Sequence, residues 1–259
     1  MGIIIRTRDV NFEDSAIGFL PPVTRGIAYW NYMGDTAAKT ARNLAPNGKP
    51  SGAIVGSPTY GVGYASLGQN AYIQTQALQS TDLTIIAVVR PKSESNSVVV
   101  SNNGGNGRVS PYTGQTYGAS MWNTTGTVSD SKITNNFNQN VFDGNSATAG
   151  TIVCAGSIVL QDINQFHCFS GVHDSVTHTS VARNLGLGDV ATGIATLPNV
   201  LPDLGVLPFR IGYSYSTGLG TAESDIAFVA IYNTALNIDE QLEIYSFVKS
   251  YLATKAISI

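Results

Sequence analysis

Apolar residues in this chain fall in short alternating runs, and only one segment shows a helical stripe. The strongest run of the first half is DLTIIAVVRP, residues 82–91. Leu83, Ile85, Ala87 and Val89 would face one way, and Thr84, Ile86, Val88 and Arg90 the other. Both sets are mostly apolar, so the spacing predicts a central strand covered on both sides. Pro91 then ends the ladder, because it has no N–H to donate. SDIAFVAIY, residues 224–232, repeats the pattern. Simple alternation puts Ile226, Phe228, Ala230 and Tyr232 on one face and Ala227, Val229 and Ile231 on the other. After the NTAL turn, Asn237 is an N-cap with Glu240 three residues on, a capping-box pattern. Leu242, Tyr245, Val248 and Leu252 follow at helical spacing and give one apolar stripe. That stripe must lie on something apolar, such as the end or convex face of a sandwich.

Further strands are read in GIAYWNY (26–32), QNAYIQTQAL (69–78), SVVVS (97–101) and FRIGYSYS (209–216), and TIVCAGSIVLQ (151–161) and QFHCFSGVHDSVTHTSVA (165–182) read as two more strands or two hairpins. The polar stretch 33–52, with its Asn-Gly pair, Pro46 and Pro50, reads as a loop. FLPPVTRG is a breaker, so residues 1–25 read as an N-terminal arm leading into one domain over 26–259. Many short strands separated by turn signals, with no repeat and no linker, point to an all-β sandwich.

Composition sharpens this reading. Charged residues make up 12% of the 259 residues, about half the usual share. Gly, Ser, Thr and Asn fill the gap, as in a β protein with many polar turns. The net charge of −3 leaves no electrostatic footprint for nucleic acid. No run of about 18 apolar residues exists, so no membrane span is expected. The start, MGIIIRTRDV, does not read as a secretory leader, so none is expected. Cys154 and Cys168 could pair or stand as free, buried thiols on strands. A surface rich in hydroxyl and amide groups, without a leader, suits a virion protein made in the cytoplasm and released by lysis.

DIAFVAIYNTALNIDEQLEIYSFVKSYLA, residues 225–253, resembles the C-terminal signature of concanavalin A-like, laminin-G-like jelly-roll domains, roughly GDIAEVIIYNRALSDEE…V..YLA. Asp225, Ile226, Ala227, Val229, Ile231, Tyr232, Asn233, Ala235 and Leu236 match it. DLTIIAVVRP is similar to the family strand FTIFAWVKP, and FRIGYSYS to its Ile-Gly strand. Asn237 replaces the usual Ser, and Phe228 stands where many relatives carry Glu. The resemblance spans Gly26 to Ile259 and implies an antiparallel jelly-roll β-sandwich with a short C-terminal α-helix. Relatives often bind a structural calcium. Here Asp35 and Asp225 are the obvious carboxylates, too few for calcium's several oxygen ligands, so neither metal nor cofactor is expected.

Catalytic groups are sparse. Glucan-cleaving enzymes of this fold carry a Glu-x-Asp-x-Glu strand whose carboxylates flank the glycosidic bond, and no such triplet occurs. DEQLE, residues 239–243, sits on the helix with side chains expected in solvent. His167 and His173 would share a strand face, but six residues span roughly 20 Å. With His178 they could still meet through a turn. Cys168 points away from His167, so the two are not a nucleophile and its base. NNGGNG lacks the context of a phosphate loop, and the sequon at Asn123 is expected to be unused. An enzyme is therefore not expected.

What remains is binding. Residues 110–126, SPYTGQTYGASMWNTTG, place Tyr112, Tyr117, Trp122 and Asn123 among small polar residues. Aromatic faces stack on sugar rings while amides bond their hydroxyls. The same composition suits protein recognition, and Trp122 with one Tyr could equally be core. The expectation is a non-catalytic virion protein, a phage tail or head appendage whose lectin-like domain recognises a glycan or host surface receptor. Its arm would dock on other virion proteins, and it would be a homo-oligomer. A purely structural capsid-decoration or tail-assembly brick is the alternative, with a polysaccharide depolymerase behind it.

Overall fold

Two strands that are apolar on both faces need cover on both sides. The computed structural model provides it by stacking two sheets and laying a helix on the back of one. It describes residues 20–125, 133–142, 152–159, 162–195 and 201–259. Sheet A holds β1 (Ile27–Tyr32), β3 (Thr59–Gly61), β4 (Tyr64–Leu67), β6 (Leu83–Pro91), β11 (His167–Asp174), β12 (Thr179–Asn184), β13 (Asp189–Ile194) and β16 (Ser224–Tyr232). Their order is β13–β12–β11–β6–β16–β4–β3, with β1 also against β16. Sheet B holds β2 (Ala53–Gly56), β5 (Ala71–Gln74), β7 (Ser97–Ser101), β8 (Ala119–Thr125), β9 (Ile133–Phe142), β10 (Ile152–Val159), β14 (Leu201–Pro202) and β15 (Arg210–Ile211). Their order is β10–β9–β8–β7–β15–β5–β2, with β14 against β9. Two α-helices, α1 (Ala37–Ala41) and α2 (Ile238–Ala253), and a 3₁₀ turn at Thr217–Leu219 complete the described elements. The strand ladders are antiparallel, and β6 lies beside β16 although most of the chain separates them. The all-β sandwich with a closing helix is thus the fold.

Two apolar cores result. Leu83, Ile85, Ala87 and Val89 of β6 face inward, in one cluster with Val99, Met121, Phe137 and Ile211 of sheet B. Phe137 lies so close over Gly171 that a Cβ there would come within 2.0 Å of its ring, which only glycine tolerates. Ile86 and Val88 face outward with Phe228, Ala230 and Tyr232, under Trp30, Ile244, Val248 and Leu252. Trp30 meets Phe228 edge-on at 4.7 Å between centroids. Burying each such side chain contributes about 1.5–3 kcal/mol.

Simple alternation fails in β16. Its register against β6 shifts between Ile226 and Phe228, so Ala227 occupies a bulge. Ile226 therefore joins Val229 and Ile231 inside, while Ala227 joins Phe228, Ala230 and Tyr232 outside. The extra residue moves the phase of everything before it.

The capping box of α2 forms: Glu240 N donates to Asn237 Oδ1 at 3.0 Å and Asn237 N to Glu240 Oε2 at 2.8 Å. Its buried stripe is Gln241, Ile244, Val248 and Leu252, whereas Leu242 is 41% exposed and Tyr245 only partly buried. Gln241 sets this rotation. Its amide donates to Leu236 O at 2.9 Å and accepts from Ser170 Oγ at 2.7 Å, which anchors the first turn to β11. Two further expectations are corrected. The loop at 33–52 contains α1, and FRIGYSYS is a strand only at Arg210–Ile211. Gly212, at φ 92°, turns the chain there, and a Cβ on it would meet Leu67 Cβ at 2.4 Å.

The arm at 1–25 lies outside the described residues as far as residue 19. Of the rest, Val23 packs in the outer core, and Arg25 is paired with Glu240 of α2 at 2.5 Å. No helix among the described residues is long and apolar enough to cross a membrane.

Candidate functional site

Helix α2 covers the outer face of sheet A, whereas the outer face of sheet B carries no helix among the described residues. Alternation along its strands sends Ile73, Met121, Phe137 and Ile211 into the inner core and their neighbours to that open face. The register aligns those neighbours in rows. One row runs Gln74, Arg210, Ser101, Ser120 and Asn138, of which Ser101 and Ser120 are buried and the others partly exposed. The next contains Val98, Trp122, Asn136 and Ser157, of which Val98 and Asn136 are buried.

Trp122 sits partly exposed on this face. With the Asn138 amide turned to the orientation its neighbours satisfy, the indole Nε1 donates to Asn138 Oδ1 at 3.3 Å and the Asn138 amide nitrogen donates to Phe137 O at 3.1 Å. Beside it, Asn136 accepts from Ser157 Oγ at 2.5 Å and donates to Thr124 Oγ1 at 3.1 Å. The result is an indole held by its edge among amides and hydroxyls.

Asn123, one residue on, points the opposite way. It is fully buried, donates to Ser97 Oγ at 3.2 Å and accepts from Asn135 Nδ2 at 2.9 Å. Ser97 in turn meets Ser224 Oγ at 2.8 Å, so the chain of bonds links the two sheets. The structure removes Asn123 from the candidate surface, because adjacent strand residues face opposite sides. Tyr112 is partly exposed but distant from Trp122. It packs edge-on against Phe142 at 4.7 Å, in a cavity of about 210 Å³. Phe142 lies six residues along β9 from Asn136, the partner of Trp122, or about 20 Å. Tyr117, also partly exposed, donates its backbone N–H to Asp203 Oδ2 at 2.8 Å. Asp203 is buried against Arg108 at 2.7 Å, so these groups fix the loop between β7 and β8.

A second cluster on the open face was not singled out from the sequence. Arg210 stacks over Tyr215 at 3.7 Å and Tyr72 at 4.7 Å from the ring centroids. Its Nε donates to Gln74 Oε1 at 2.9 Å and its Nη1 to Ser214 O at 3.1 Å. Gln74 Nε2 also donates to Tyr215 Oη at 2.9 Å, and Tyr213 lies 5.7 Å from Tyr72. Burial pushes the Tyr215 hydroxyl up from its ordinary pKa, against the opposing pull of Gln74 and Arg210. The signal in sequence is Arg210-x-x-Tyr213-x-Tyr215 together with Tyr72-x-Gln74, two stretches far apart in the chain.

The remaining polar candidates are engaged in structure. Asp225 is held by Arg90 at 2.6 Å and Ser66 Oγ at 2.6 Å, and Asp35 lies 3.5 Å from Lys39. Among the described residues, no three His, Cys, Asp or Glu side chains gather as a metal site would need. His167 and His173 do share the inner side of β11. His167 Nε2 lies 2.7 Å from Asp162 O, and His173 Nδ1 lies 3.0 Å from Ser180 Oγ. His173 Nε2 is buried without a partner, and burial lowers its pKa to about 4. Cys168 is free and buried, on the opposite side of β11, and burial raises its pKa. The side chain of Cys154 lies outside the described residues.

No protein-family model matches the chain, and no curated protein matches its sequence. Solved structures do match its fold. The binding domain of botulinum neurotoxin serotype C1 superposes over 86% of this chain with TM-score 0.53 and 8% identity. Trypanosoma rangeli sialidase, in complex with sialic acid, does so over 86% with TM-score 0.54 and 11% identity. Domain 4 of an extracellular arabinanase from Geobacillus stearothermophilus, in complex with arabinotriose, gives 86%, TM-score 0.52 and 12% identity. The match spans 52% of the neurotoxin domain, 33% of the sialidase and 99% of the arabinanase domain. These likenesses establish a β-sandwich of the kind found in such binding domains.

Proposed function

We propose that this chain is a non-catalytic recognition module that binds glycan, or a glycosylated receptor, on the open face of sheet B. The observation that carries this is the partly exposed Trp122, tied by its edge to Asn138 beside Asn136 and Ser157. Carbohydrate faces are apolar and their rims are hydroxyls, which an aromatic ring surrounded by amides matches. Among the structural neighbours, the neurotoxin fragment is a binding domain, and the sialidase and the arabinanase domain are in complex with sugars, which supports the same reading. The composition supports placing the module on a virion appendage as a homo-oligomer, its first residues docked on other virion proteins.

A glycan array, probed with the intact chain and with Trp122→Ala, tests this. The intact chain should bind a subset of glycans, and the variant should bind them at least about tenfold more weakly. No binding to any glycan, together with stoichiometric incorporation into particles, would favour the structural brick. New reducing ends released from host capsule would establish a depolymerase instead.

A further inference from the structure

Arg210 is set apart from the other paired arginines by what surrounds it. Arg25, Arg90 and Arg108 each have a carboxylate within 2.7 Å. Arg210 has no carboxylate at ion-pair distance among the described residues, and its neighbours are neutral: two tyrosine rings, an amide oxygen and a backbone carbonyl. Those four contacts hold the guanidinium still. The bonds to Gln74 and Ser214 use Nε and one hydrogen of Nη1, and the Tyr215 hydroxyl also lies within the guanidinium's reach; among the described residues Nη2 meets no carboxylate or carbonyl oxygen. Arg210, Tyr72, Gln74, Tyr213 and Tyr215 are all partly exposed.

A structural arginine has its charge met by the protein. One that is immobilised by stacking while its charge is left unmet is preorganised for an external anion. The guanidinium fork favours a planar, two-oxygen acceptor, which it can hold through parallel bonds. The flanking tyrosine rings favour an apolar ring face on the same ligand. From these contacts we infer that Arg210, with Tyr72, Gln74, Tyr213 and Tyr215, is a subsite for a carboxylate-bearing sugar. It lies on the same sheet face as Trp122, two strands across and two residues along, or about 12 Å away. The inference rests on the glycan-binding reading and narrows it to acidic glycans.

The test compares three forms of each ligand on one array: hexuronate and sialylated oligosaccharides, their carboxyl-reduced neutral counterparts, and sulfated analogues. The intact chain should bind the carboxylated forms about tenfold more tightly than the reduced forms, or better. Arg210→Gln should abolish that preference, with circular dichroism and thermal unfolding reporting independently that the variant is folded. Arg210→Lys should retain part of the preference, since it keeps the charge and loses the fork. Trp122→Ala should weaken all forms alike. Equal binding of acidic and reduced glycans would overturn the inference and leave the glycan reading standing. An Arg210-dependent preference for the sulfated analogues would overturn the assignment to carboxylate. No binding to any glycan would overturn both readings.

Discussion

His173 concentrates an acid sensitivity in one side chain. It is fully buried between β6 and β12, with Nδ1 on Ser180 and Nε2 unpartnered. Desolvation lowers its folded pKa to about 4; Asp82 and Asp174 pull the other way, and His178 pushes it further down. Above the unfolded value near 6.5, the ring is neutral in both states and contributes nothing to pH dependence. As pH falls from about 6.5 to about 4, the unfolded chain takes up a proton that the folded chain refuses, so stability is lost across that window. The full effect is roughly 3 kcal/mol. Urea unfolding of the intact chain and of His173→Gln, from pH 7 to 4, should give a steeper decline for the intact chain. Parallel declines would show that His173 does not titrate in this way. The candidate site was only partly legible at this scale. Trp122 stood out as an aromatic among amides, but Asn123 shared the same composition and faces the interior. Arg210 was hidden because its partners come from Tyr72 and Gln74, which only the β5–β15 pairing brings near.

Strands β6 and β16 and helix α2 show what periodicity can and cannot specify. Apolar residues on both faces of β6 correctly predict two covered faces, because an exposed side would have needed polar alternation. The bulge at Ala227 could not be read, since it depends on the pairing of β16 with β6 and β1. The helix stripe was displaced for a related reason. Gln241 counts as polar in sequence, yet its three hydrogen bonds place it in the buried seam. Substitution separates the two stripes. Ile244→Ala should destabilise the fold by about 2–5 kcal/mol, whereas Leu242→Ala should stay within about 0.5 kcal/mol. Comparable losses in chemical denaturation would contradict the rotation of α2 described here. The cap itself was legible because Asn237 and Glu240 act within four residues, and Asn237→Ala should cost about 1 kcal/mol.

For the whole molecule, β6 and β16 contribute side chains to both cores. The two cores share these strands as a common wall, so loss of their pairing disrupts both. Calorimetry should therefore show one cooperative transition, and Val248→Ala in the outer core should lower the same transition as Met121→Ala in the inner one. Two resolved endotherms would show that the helix layer unfolds separately.

The open face of sheet B stands outside this shared framework. Trp122, Asn138, Tyr72, Tyr215 and Arg210 belong to neither core. Mutation there can rewrite the chemistry of this face while the supporting architecture keeps its shape, so side chains could diversify on an inherited chassis.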